Sequence, residues 1–390
     1  MSKNPHYKST AKKPPVQKAV RTNEKKPRKP LILPILPLFF LMVWAWATVY
    51  YGDVFRIARE NSFWVASTEQ MKFILDQSYG MLWYVGRLAL QLFRYPFIGG
   101  MCFAGLLALC SWLLGYSMRL TPRWRWIQYI PALLYVGYIS KEGLNLFFEA
   151  ETGRILGIPL LALGILLIWA VIIKSFSKKE VPAIVRIPKD ETPMQNRLQL
   201  CVCILGLAGC ITFTQQCRPY VPVITKMMVG QINQDWEVIQ KTARANADLS
   251  YRAIAAYYAM ALVQTDQVGD RVYDIRMDYD TLHIVGWDNT YNNGNSLYIP
   301  EGNYYAGLVE TCYHYTFEKM VMNGPSSHGL EMLVKCALMR NEWALAEKYI
   351  RILRQVPFEG DFCDKYGAMI RNPKLVNADP EMANIRQLEP

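Results

Sequence analysis

The sequence predicts an all-α protein: about five transmembrane helices followed by an extracytoplasmic domain of helix hairpins. Three observations predict it. Residues 31–51, 96–117, 127–139, 155–173 and 198–214 are apolar stretches almost free of charge. Charge is sorted along the chain, with the basic excess ahead of the first stretch. After Cys217 the composition turns polar, and apolar residues recur at helical spacing.

A bilayer core takes roughly 17–25 apolar residues per helix, because unpaired backbone amides are too costly in hydrocarbon. Four of the five stretches meet or nearly meet that length, and 127–139 is short. The chain has 390 residues, more than one domain usually holds, so a transmembrane domain (31–217) and a second domain (218–390) are expected.

The net charge of +11 divides into +9 over residues 1–30, +6 over 31–217 and −4 over the remainder. A basic chain can bind nucleic acid, but this excess lies beside the first apolar stretch, where it is a topology signal. Nucleic acid is excluded as a partner on that ground; the bilayer is the expected one.

Taken in order, residues 1–30 read as a basic, disordered cytoplasmic tail. The first span runs outward to Asp53, and the second returns to Arg119, Arg123 and Arg125. The third exits toward Lys141 and the fourth returns to Lys174, Lys178 and Lys179. The fifth leaves again, which places the C-terminal domain outside, periplasmic on the inner membrane of a bacterial cell. Every inner loop is then net positive, as Lys and Arg resist translocation. Ala45-Trp46-Ala47 has the form of a signal-peptide cleavage site. The charged leader is too long and the apolar run too aromatic for one, so the first span stays. Leu207-Ala208-Gly209-Cys210 has the form of a lipidation box but lies behind four spans.

Residues 66–94 are more apolar than a solvent loop. Met71, Phe73, Ile74 and Tyr79 recur at helical spacing, Gly80 breaks the run, and residues 81–95 carry only Arg87 and Arg94 as charges. A sixth span here would put the Arg119–Arg125 cluster outside, so two interfacial helices are expected. Asp53, directly after Tyr50-Tyr51-Gly52, and Glu60 are the acidic residues at the start of this outer segment. The arrangement resembles the multi-pass, lipid-sugar-dependent glycosyltransferases, in which the first outer loop carries two surface-parallel helices and an acidic residue near its start. That resemblance implies Asp53, with Glu60 second, as a catalytic base or metal ligand beside a phosphosugar donor. The alternative is that Asp53 caps the first span at the water boundary. Between spans three and four, Lys141, Glu142, Glu149, Glu151 and Arg154 read as a solvated loop.

In the second domain, residues 223–247 place Val229, Ile232, Trp236, Ile239 and Ala243 on one helical face. A second helix covers 251–265, where Ala256, Ala259 and Ala261 allow close approach. Further helices are expected over 304–322, 330–339 and 342–353. Asp274, Asp278 and Asp280 suggest calcium, but a loop aligned on Gly294 puts Tyr291 at position three and Pro300 at position twelve, so the pattern fails. Asn292 to Asn295 reads as a tight turn in a short hairpin between "LHIVGW" and "SLYI". Cys217, Cys312, Cys336 and Cys363 would face an oxidising space, where a disulfide can form. The sequence carries no P-loop, dinucleotide fingerprint or nucleophile motif, so no cofactor or metal is implied.

The segment 330–357, "LEMLVKCALMRNEWALAEKYIRILRQVP", resembles a tetratricopeptide repeat, with Leu333, Ala346 and Leu353 at its packing positions and Val334 where the repeat has glycine. "LFRYPFIGG", "DWEVIQKTARANADLSYRAIAAYYAMALVQTDQVGDR" and "NEWALAEKYIRIL" give the whole chain a resemblance to bacterial multi-pass membrane proteins with a tetratricopeptide-like outer domain, a family with no assigned activity. The expected role is a membrane-anchored interaction or scaffold protein with a protein partner on its helical repeats; the alternative is the lipid-carrier transferase using Asp53. Transport fits less well, since the spans carry no buried ion pair and no inverted repeat.

Overall fold

The computed structural model describes residues 34–76, 79–147, 152–176, 192–249, 251–277 and 297–388. The basic tail 1–30, Glu149, Glu151, Lys178, Lys179, Asp278, Asp280 and the expected hairpin around Asn292–Asn295 lie outside them. Every secondary-structure element among the described residues is a helix.

The N-terminal half is a bundle. Helix α1 (Ile35–Ala45) continues through a π turn at Trp46–Tyr50, then bends by 64° into α2 (Gly52–Glu60). Helices α3 (Thr68–Leu75) and α4 (Gly80–Leu90) lead to α5 (Pro96–Ser117). Pro96 opens α5 in the first turn, where its missing N–H costs no hydrogen bond. After α5 come α6 (Ile130–Glu142), α7 (Arg154–Phe176) and α8 (Pro193–Cys217), the last opened by a Thr192–Gln195 capping box.

Contacts fix the helix directions. Phe40 lies at Gly105 and Thr48 at Gly100, so α1 runs against α5. Gln128 meets Gly115 while Tyr135 meets Phe103, so the segment ending in α6 also runs against α5. Cys110 reaches the Pro159 carbonyl, and the Tyr135 hydroxyl donates to the carbonyls of Arg154 and Ile155, which sets α7 alongside α5 in the same direction. Leu133 abuts Gly206 and Cys210 faces Gly137, so α8 follows α6. The ends of α1, α6 and α8 therefore gather with the start of α5 at one end of the bundle, where the second domain begins.

Three helices are long and apolar enough to cross a membrane, Pro96–Ser117, Arg154–Ile173 and Pro193–Cys217, and a fourth is reached if the bent pair α1–α2 counts as one. The expected span at 127–139 is the exception. Its α-helix has 13 residues and begins as a 3-10 turn at Arg125–Tyr129, so it falls short by length while still packing along α5 and α8.

The second half is a run of helices, each packed on the next except that α12 and α13 both pack on α11: α9 (Tyr220–Ile232), α10 (Trp236–Ala245), α11 (Arg252–Gln264), a short turn α12 (Val268–Arg271), α13 (Ile299–Tyr305), α14 (Val309–Asn323), α15 (Ser327–Met339), α16 (Trp343–Leu353), α17 (Gly360–Arg371), α18 (Lys374–Ala378) and α19 (Pro380–Leu388). Two expected helices are broken. The one over 223–247 turns at Gln234 (φ 58°), and the Asp235 side chain caps α10 by accepting from Val238 N–H. Gly230 makes this turn possible, since a Cβ there would meet Ile239 Cγ1 at 2.9 Å. The one over 304–322 breaks at Gly307 (φ 81°), a left-handed position that glycine adopts without strain. The nine cysteines are free thiols, so the disulfide allowed by sequence is not formed; Cys312 and Cys336 are buried with sulfurs 3.5 Å apart.

Candidate functional site

The polar groups that stand out lie where α2 meets the second domain. Helix α2 is strongly amphipathic, and seven of its nine residues are buried, Arg59 and Glu60 among them. Arg56 donates to Asn233 Oδ1 at 2.8 Å, and Ser327 donates through both its amide and its hydroxyl to the Ser62 carbonyl, so both ends of this segment are tied to the second domain.

Arg59 is fully buried and saturated with acceptors. Its Nη2 lies 2.6 Å from Glu359 Oε1 and donates to the Pro357 carbonyl at 2.8 Å. Its Nη1 donates to Glu60 Oε2 at 2.9 Å, and its Nε to Gln91 Oε1 at 3.2 Å. Arg94 closes the other side at 3.2 Å from Glu60 Oε1. A planar guanidinium suits this role because its five donors point in fixed directions.

The network continues into the second domain. Burial pushes the Glu359 carboxyl up, and the charge of Glu331 adds to this while Arg59 opposes it, leaving it at about 7. Glu331 also sits 3.8 Å from His328 Nδ1, and His328 Nε2 lies 2.9 Å from Glu301 Oε1. Burial alone would depress the imidazolium, but Glu301 and Glu331 outweigh it and raise it to about 9. Burial likewise raises Glu301, and the His328 bond more than reverses that. Glu301, His328, Glu331, Glu359, Arg59, Glu60 and Arg94 thus form one chain in which carboxyls and cations alternate except where Glu331 meets Glu359. With a single proton held on Glu359 it is electrically neutral, which removes most of the cost of burying it.

Asp53 lies in the first turn of α2, where burial pushes its carboxyl above the ordinary range, and the charges of Arg56 and Lys226 only partly oppose this. Sequence alone reads it as the start of an outer loop; the structure puts it in a helix. Glu60 is two turns further on, 1% exposed, with each oxygen held by an arginine. The two acidic candidates are therefore not brought together on a shared open surface. Lys141 is exposed but lies with Glu142 in the last turn of α6, and the Gly143–Phe147 turn that follows is buried, so the solvated loop expected there does not form over these residues; Asp274 faces Arg244 and Tyr258 in place of any cation site. No group of three His, Cys, Asp or Glu among the described residues is arranged to hold a metal.

The residues missed by sequence reading are Arg59, Arg94, Glu301, His328, Glu331 and Glu359. The adjacent Arg59-Glu60 and the one-turn spacing of His328 and Glu331 were local signals, but Glu359 has none. A separate apolar groove of about 320 Å³ lies between α11 and α13, lined by Ala256, Ala259, Met260, Val263 and Ile299.

No curated protein and no solved structure matches the chain. A family model does match, over residues 153–390, which takes in α7, α8 and the whole second domain together with Glu301, His328, Glu331 and Glu359. The chain belongs to the family of unknown function DUF6057.

Proposed function

We propose that this is an integral membrane protein whose second domain is held at a fixed angle on the bundle and presents its helices to a protein partner. The apolar helices α5, α7 and α8, with α1, supply the membrane anchor. The basic tail keeps the N-terminus cytoplasmic, and since α8 ends at the same end of the bundle as α1, this reading puts α9–α19 on the outer side, periplasmic in a bacterial inner membrane. The serial helix packing of α9–α19, with Leu333, Ala346 and Leu353 buried as in a tetratricopeptide repeat, supports an interaction role, since such arrays offer extended surfaces to helices and peptides.

The observation that carries the reading is the outer side of α14. Leu308, Tyr315 and Met322 recur every seven residues and are exposed along one edge of α14, and Phe317 and Val321 are exposed along its other edge, with the His314–Glu318 pair between them. Apolar groups left in solvent at that density mark contact surfaces. A photoreactive residue placed at Tyr315 in the full chain, in its own membranes, should yield one discrete protein adduct. That adduct should be lost on Met322→Glu. A ladder of unrelated adducts, or none, refutes the reading. A reporter fused after Pro390 should be active only on the outer side.

A further inference from the structure

Helix α4 carries its polarity inside out, and α3 exposes large apolar groups beside its charges. On α4, Met81, Val85 and Leu88 form one exposed row, whereas Arg87, its one charged residue, is buried. The buried side seats Gly86 against the backbone of Gly153 and Gly157, so close that a Cβ would collide with the Gly153 carbonyl. Helix α3 buries only Ile74 and leaves Met71, Phe73 (63% exposed) and Leu75 outside, alongside the exposed Glu69 and Lys72. A helix solvated by water does the reverse, turning charge outward and apolar groups inward. Beyond the 3-10 turn Gln91–Arg94, exposed apolar residues resume at Phe97, Ile98 and Met101, at the start of a helix long enough to cross a bilayer.

We propose that the α3–α4 hairpin is immersed in one leaflet of the lipid bilayer. The Met81, Val85, Leu88 row faces acyl chains, and α3 lies at the headgroup boundary, where Glu69, Lys72 and Asp76 reach water. The backbone of both helices is internally hydrogen-bonded, which hydrocarbon requires. The hairpin thereby adds a membrane contact that does not cross, beside the helices that do. This inference rests on the membrane anchor proposed above.

The test uses the full chain in phosphatidylglycerol/phosphatidylcholine nanodiscs, with photoreactive benzoylphenylalanine replacing Val85, Phe73 or, as a reference on α7, the exposed Ile165. Lipid adducts at all three positions are expected by mass spectrometry. If Ile165 yields a lipid adduct while Val85 and Phe73 yield a cross-linked second copy of the chain, or no lipid adduct, the hairpin is covered by protein or water and the proposal is overturned. If Ile165 also fails, the membrane anchor itself is overturned, and this proposal with it.

Discussion

Arg59 and Glu359 meet at 2.6 Å with both side chains fully buried, although one lies in the helix that follows the first apolar segment and the other opens α17. Through this pair the bundle and the second domain share one charged interior. The domain is therefore seated on the bundle, with its orientation fixed by directional bonds.

Removing Arg59 should release that seat. Arg59→Met leaves the buried Glu60 carboxylate with only Arg94 and removes the donor that faces Glu359. Breaking a buried pair in this way costs about 3–5 kcal/mol. Thermal unfolding in detergent should shift down, and limited proteolysis should cut between Cys217 and Tyr220 more readily than in the parent chain. Restoring charge with Arg59→Lys should recover only part, because an ammonium cannot reach Glu60, Glu359, Gln91 and the Pro357 carbonyl together.

The junction should weaken with rising pH. Glu359 and His328 both bind a proton more tightly in the folded protein than in the unfolded chain, at about 7 and about 9. A group with a raised folded value contributes stability that is complete below its unfolded value and is lost as pH climbs through the folded one. The melting midpoint should therefore fall from about pH 4.5 to 7 as Glu359 loses its proton, and on from about 6.5 to 9 as His328 loses its own. His328→Gln should flatten this part of the profile, and an unchanged slope in that variant assigns the loss elsewhere.

Gly86→Ala should displace α4 from α7. The new methyl would strike the Gly153 carbonyl and the Gly157 amide, both backbone, so no side-chain rotation relieves it. A loss of about 1–3 kcal/mol is expected, typical of overpacking a close contact. Gly164→Ala, where nothing stands within 4 Å, serves as the silent control on α7.

Asp53→Asn should leave the melting midpoint within about 1 kcal/mol, the scale of a lost charge–dipole interaction in a first helical turn. Recovery of the α14 partner adduct should be unchanged in this variant. Loss of a lipid-linked glycan product in the folded, membrane-inserted variant would instead favour the transferase expected from the outer-loop resemblance.

Much of the architecture was legible because it rests on local rules. Apolar length marked α5, α7 and α8, and the apolar period marked α10, α11, α15 and α16. Where the reading slipped, a short-range feature had been outweighed: Asp235 and Gly230 permit a sharp turn inside one apolar period, and Gly307 divides another. The segment ending in α6 looked like a weak span; its 13-residue helix is too short, yet its packing on α5 and α8 holds it within the bundle.

The sequence by itself determined that this chain is helical, that its first half is apolar enough for a membrane, and that its charge is sorted along its length. These follow from composition and period, which act over a few turns. Only the tertiary structure decided that α2 is a buried strut, that Glu60 is clamped between two arginines, and that Arg59 finds Glu359. Those outcomes depend on which surfaces meet once the chain has folded back on itself, and a buried charge can be matched only by a partner that the fold carries to it.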